Sequence, residues 1–153
     1  MKLAVIGSRT FDDYKILCVV IDQLKEVFPI STIVTGGAKG ADSLAEKYAY
    51  NNKLALEIYK PDWEQYGKSA GFIRNSTIWD NSDMGIAFWD GMSKGTAHSF
   101  NIAKKQNKKI VLSTIYGLYT EYEQKARGGF AQKIANFLSP YQIGYLKNTI
   151  RHY

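Results

Sequence analysis

Thr32-Ile33-Val34-Thr35-Gly36-Gly37-Ala38-Lys39-Gly40-Ala41-Asp42 is a strand-like run, a glycine loop and the start of a helix in one segment. The same order recurs at Leu3 to Ile6 followed by Gly7-Ser8-Arg9-Thr10, and at Ile86 to Phe88 followed by Trp89-Asp90-Gly91-Met92-Ser93-Lys94-Gly95-Thr96. Glycine lets a backbone come close to a ligand and hydroxyls donate hydrogen bonds. A helix that starts at such a loop turns unpaired N–H groups toward an anion. Three such loops at one structural position imply one shared site.

Working outward, short apolar runs alternate with helical stretches at the spacing of βαβ units. Strands are expected at Lys2 to Ile6, Thr32 to Thr35, Ala55 to Tyr59, Met84 to Phe88 and Lys109 to Ser113. Several are continuously apolar, which suits a parallel sheet covered on both faces. Helices are expected over Tyr14 to Phe28, whose apolar stripe stops at Pro29, from Ala41-Asp42 to Asn52, over Ala70 to Asp80, and from Gly95-Thr96 to a point before Lys108. The fold class is therefore α/β: a Rossmann-like parallel sheet of about five strands with helices on both faces. Right-handed crossovers bring the loops after the strands to one carboxyl edge, where open α/β sheets bind ligands.

Residues 114–153 differ in character, holding six of the eleven tyrosines and no further strand. Thr120 to Glu123 has a capping-box pattern and Ser139-Pro140 reads as a second helix start. The expected organisation is a domain over 1–113 and a C-terminal helical extension over 114–153, packed on the same domain or on a second copy as a homo-oligomer contact.

The 153 residues suit one core without disulfides, and Cys18 is the single cysteine, read as a buried structural thiol. No apolar run approaches the roughly 20 residues that span a bilayer, and Met1-Lys2 leads into a run too short for a signal-peptide core. The expectation is a cytoplasmic protein with no membrane partner. The net charge of +6 favours anionic ligands, but no dense basic run is present, so nucleic acid is placed as an unlikely partner. His98 and His152 are far apart, and no metal or cofactor is expected.

The candidate ligand residues come from the loops after the strands. In the first, Gly7, Ser8, Arg9, Thr10 and Phe11 offer close approach, a hydroxyl, a guanidinium able to grip phosphate, and an aromatic that stacks on a base or braces the loop. The second contributes Thr35, Gly36, Gly37, Ala38 and Asp42. It has neither the Walker spacing nor the Gly-x-Gly-x-x-Gly fingerprint. After the third strand come Trp63, Arg74 and Asn75, and the last loop adds Trp89, Asp90, Gly91, Ser93, Lys94, Gly95 and Thr96. Phosphate is assigned to Ser8, Gly37, Ser93, Gly95 and Thr96, positive charge to Arg9 and Arg74, and stacking to Trp63 or Trp89.

Gly7-Ser8-Arg9, Thr35 to Asp42, Pro61-Asp62-Trp63, Ala70 to Asn75 and Phe88 to Thr96, in that order, resemble the YspA-like, YpsA-related branch of the SLOG superfamily. The resemblance covers residues 1–113. It implies a Rossmann-like fold that senses, sequesters or processes a nucleotide or nucleotide-derived ligand, as in bacterial and phage conflict systems. In the related Lonely guy phosphoribohydrolases an Arg pairs with Gly-Gly-x-Gly-Thr-x-x-Glu. Arg74, Gly95 and Thr96 match, but Ser99 stands where the glutamate falls. A nucleotide N-glycosidase would then rely on Arg74 with Asp42 or Asp90, since departure of the base wants a carboxylate. Single-stranded nucleic-acid binding is the remaining alternative, suggested by the DprA relatives.

Overall fold

A computed structural model of the chain describes residues 1–90 and 92–114. The expected C-terminal helical extension, all but its first residue, lies outside the described residues. Within them five strands form one all-parallel sheet: β1 (Lys2–Gly7), β2 (Thr32–Thr35), β3 (Ala55–Ile58), β4 (Met84–Trp89) and β5 (Lys109–Thr114), in the order β3-β2-β1-β4-β5. The architecture is α/β and Rossmann-like. Ala4 pairs with Val34 on one side and Gly85 on the other, so β1 is central.

The helices are α1 (Tyr14–Val27), α2 (Ala41–Asn51), α3 (Trp63–Tyr66), α4 (Ala70–Asp80) and α5 (Lys94–Lys105). Asp13 caps α1 by accepting the Ile16 N–H at 3.1 Å, and Leu17, Val20, Ile21 and Leu24 form its buried stripe. Phe28 is extended, as the residue before a proline prefers, and ends the helix. Trp79 of α4 is fully buried over Gly85 of β4, where a Cβ would collide with the indole ring. A glycine in a central strand is explained here by the ring it admits.

β1, β2 and β4 are buried along most or all of their length. Among the described residues the sheet is not covered throughout: β3 is an edge strand with Leu56 and Ile58 exposed. Cys18 is half-buried on α1, and burial raises its thiol pKa, which suits an unreactive thiol. The short helix α3 and the 3₁₀ turn Gly67–Ser69 that leads from it into α4 are additions to the expected elements. Asp62 caps α3 at the Gln65 N–H, 3.1 Å away.

The strand order reverses direction at β1. Chain leaving β1 turns toward β2, and chain leaving β4 turns toward β5, which opens a crevice between the carboxyl ends of β1 and β4.

Candidate ligand site at the β1–β4 crevice

Ser8, directly after β1, ties the three glycine loops together. Its N–H donates to the Phe88 carbonyl (2.9 Å), its carbonyl accepts the Ala41 N–H (3.3 Å), and its Oγ accepts the Asp90 N–H (2.9 Å). The side chain is almost wholly buried. Ser8 therefore positions the loops and does not line the crevice. Two glycines are required for the same convergence. Gly40 has φ +78°, and a Cβ there would strike the backbone of Ser8 and Arg9; a Cβ on Gly7 would strike the Phe88 carbonyl and sit 2.7 Å from Ala41 Cβ.

The crevice holds a cavity of about 390 Å³. Of the expected residues, Gly7, Arg9, Thr10, Ala38, Asp42, Arg74, Asn75, Asp90, Ser93, Gly95 and Thr96 line it. A second cleft, of about 480 Å³, is lined by Gly36, Gly37 and Trp63, with Arg9, Ala38 and Arg74 shared between the two. Both volumes fall in the range of small-molecule sites. Phe11, Thr35, Trp89 and Lys94 line neither space. Phe11 stacks on Phe88 with centroids 4.8 Å apart, and Trp89 is buried edge-on to Phe100 while its Nε1–H donates to the Ser93 carbonyl. These aromatics brace the loops. Trp63 alone of the proposed stacking residues is exposed, at 55%. Gly91 lies outside the described residues.

The two arginines set the charge. Arg74 donates from Nη1 to the Gly36 carbonyl (2.7 Å) and from Nε to Asn75 Oδ1 (3.0 Å). Burial lowers its pKa, Asp42 opposes that shift, and the neighbouring guanidinium of Arg9 adds to it. Asn75 continues the chain through Nδ2 to the Gly95 carbonyl (3.5 Å) and to His98 Nδ1 (3.2 Å). Burial lowers the His98 pKa, which favours the neutral ring able to accept at Nδ1.

The two carboxylates are driven apart in acidity. Burial raises Asp42; the Ala38 N–H at 3.1 Å, Arg74, Thr35 and the Gly36 N–H pull it back without cancelling the rise. The Thr35 hydroxyl acts on it without a hydrogen bond of full geometry to any described partner. For Asp90 burial also raises the pKa, but the N–H groups of Met92 and Ser93, both at 2.8 Å, and the Ser8 hydroxyl outweigh it, and the net shift is downward. Asp90 thus already fills two of the donors that its loop would offer an outside anion.

Further donors stay at the start of α5. Ser93 provides no side-chain cap, and the helical ladder begins with the Ala97 N–H to the Ser93 carbonyl at 3.1 Å, so the N–H groups of Lys94, Gly95 and Thr96 precede it. The Thr96 hydroxyl is 3.3 Å from Ser93 Oγ, and Ser99 is buried at the cavity wall. Sequence reasoning overlooked Ile6 and Ile78, which give the first cavity apolar surface, and Lys39, Lys60 and Pro61 in the second cleft. Lys60-Pro61 follows the carboxyl end of β3, so the rule that located the glycine loops applies equally to it.

An open all-parallel sheet with a lined cavity at its switch point defines a Rossmann-like α/β protein. A family model described as "YspA, cpYpsA-related SLOG family" matches residues 1–66. The Gene 61 protein of Mycobacterium phage D29 is 30% identical over 117 residues, covering 72% of this chain and 94% of that protein. The chain belongs to the YspA, cpYpsA-related SLOG family. That membership points to a nucleotide-related ligand, bound or processed.

The fold is also similar, with a TM-score of 0.54 and 20% identity over 89% of this chain and 79% of the other, to DNA processing protein A from Helicobacter pylori, whose structure was described for its single-stranded DNA binding mode. This corrects the placing of nucleic acid among unlikely partners. The absence of a basic run in the sequence was the wrong criterion, because folding gathers cations from separate segments: Arg9, Lys39, Lys60 and Arg74 line one cleft. Among the described residues no helix is long and apolar enough to cross a membrane.

Proposed function

We propose that the chain binds a nucleotide or nucleotide-derived ligand in the β1–β4 crevice, with a phosphate at the opening turn of α5 and positive charge from Arg9 and Arg74. The observation that carries this reading is Gly95. It lies in the first turn of α5, has no positive φ, lines the cavity, and a Cβ added there would meet nothing within 4 Å among the described residues. Neither backbone strain nor crowding by the described residues calls for glycine here. Close approach of an occupant does.

Binding without turnover fits the carboxylates. Asp90 is engaged by its own loop, Asp42 is held by the Ala38 N–H, and the position of a hydrolytic glutamate is the buried hydroxyl of Ser99. Isothermal titration of the folded protein against nucleoside mono- and diphosphates, dinucleotides and cyclic nucleotides tests the reading. At least one class should bind and be recovered chemically intact by chromatography. Binding by none refutes the proposal, and cleavage of a bound ligand refutes its non-catalytic part. The fold shared with DNA processing protein A favours a second reading, in which the phosphate belongs to a single strand.

A further inference from the structure

The placement of Arg9 and Arg74 between two spaces carries a consequence for the size of the ligand. A site built for the terminal phosphate of one nucleotide would set its cations at the closed end of one cavity. Here both arginines line the first cavity and the second cleft alike. The two spaces differ in charge. The first sets Asp42 and Asp90 in the same wall as its arginines, whereas the described residues lining the second include Arg9, Lys39, Lys60 and Arg74 and no carboxylate. Among the described residues none of these four cations has a carboxylate within 4.0 Å.

The second cleft is also shaped by the protein. Lys60 lies along the glycine loop, where a Cβ on Gly37 (φ +72°) would come within 3.1 Å of Lys60 Cγ and 3.2 Å of Cε. Trp63 stands on the opening of α4, with Cη2 3.7 Å from the position of a Cβ on Gly71, and its indole is exposed toward the cleft. Cations and an exposed aromatic face are the two elements that hold a nucleotide by backbone and base. A single nucleotide in the first cavity would leave Lys39, Lys60 and Trp63 unused.

We infer that the site takes at least two phosphate-linked nucleotide units, one in the β1–β4 cavity and the next in the Lys39–Lys60–Trp63 cleft, with the linking phosphate over Arg9 and Arg74. This rests on the reading of the crevice as a nucleotide site. The linked pair comes from a free dinucleotide or from a single strand, and the chemistry recognised is the same.

The test is titration of the full chain with the four nucleoside 5′-monophosphates and with matching 5′-phosphorylated dinucleotides, in ribose and deoxyribose forms. At least one dinucleotide should bind roughly tenfold or more tightly than its mononucleotide, because a stacked base and a second phosphate are added. Lys60→Gln and Trp63→Ala, both at exposed positions, should shrink that ratio toward one while thermal melting shows the fold intact. If mononucleotides bind and no dinucleotide gains, the inference is overturned while the nucleotide site stands; if nothing binds, both fall. A gain that survives the Lys60→Gln, Trp63→Ala double variant also overturns the assigned cleft. Homopolymers of about twelve residues separate the sources: affinity at or above that of the dinucleotide identifies a strand, and loss of affinity identifies a free dinucleotide.

Discussion

Gly95→Ala separates the needs of the protein from those of its ligand. Ala is the better helix former by up to about 1 kcal/mol in a helix interior, and less in a first turn. Gly95 is the second residue of α5, is exposed, and has no described residue within 4 Å of where the methyl would go. The substitution should therefore stabilise the empty protein by up to about 1 kcal/mol, a rise in Tm of about 2–4 °C at this chain length. The same methyl would stand where a phosphate meets the opening turn, and a displacement that costs about 1.4 kcal/mol weakens binding tenfold. Thermal melts without ligand and titration with whichever nucleotide binds the native chain give the two numbers. A more stable variant with unchanged affinity would refute the placement of the phosphate. A less stable variant would refute the claim that the space is open.

Gly40→Ala should act in the opposite sense: the Gly-favoured backbone at φ +78°, ψ −126° costs a side chain about 1–3 kcal/mol, and the clash with Ser8 and Arg9 adds to it, measurable by urea unfolding. Asp42→Asn tests burial of the carboxylate. Its folded pKa is raised, so the stability it contributes is complete below the unfolded pKa and declines as pH rises toward the folded value; the variant should gain on the native chain over that interval, read by melts across pH. Asp90 has the reverse sign. Asp90→Ala removes the acceptor for the Met92 and Ser93 N–H groups and should cost about 1 kcal/mol at neutral pH, with the difference shrinking as pH falls through the lowered folded pKa and Asp90→Asn retaining part of the loss, again followed by thermal melts.

β1, β2 and β4 were readable in the sequence because buried parallel strands are short continuous apolar runs, here closed by a glycine loop, and Thr32–Thr35 falls where the pattern put it. α3 was not, since four residues carry no helical period and only the Asp62 cap marks it. Within the site, residue type located the loops but did not distinguish a residue that meets a ligand from one that holds a loop. Ser8 and Phe11 illustrate this: a hydroxyl and an aromatic suit either task, and the decision depended on Asp90 N–H and the Phe88 ring, which are distant in sequence. Lys39 and Lys60 were missed as cleft-lining groups for the same reason. They join Arg9 and Arg74 only after β1, β2 and β3 have set their loops side by side.

The acceptors that hold Arg74 bear on the proposal that an anion binds there. A half-buried guanidinium placed for stability alone would gain most from a carboxylate in bidentate contact. Arg74 instead donates to the Gly36 carbonyl and to Asn75 Oδ1, which are neutral and fix its direction without cancelling its charge. The buried carboxylate that shares its surroundings, Asp42, has its acidity weakened by burial, and Arg9 brings a second positive charge close enough to depress the pKa of Arg74. Two guanidiniums that disfavour each other are a local cost to the empty protein, and an anion between them removes that cost. Glycine at position 36 belongs to the same arrangement, because a Cβ there would strike Arg74 Nη1 and lie 3.0 Å from Asp42 Oδ2. The chain keeps the space needed to aim along the loop the guanidinium of Arg74, a residue that lines both cavities.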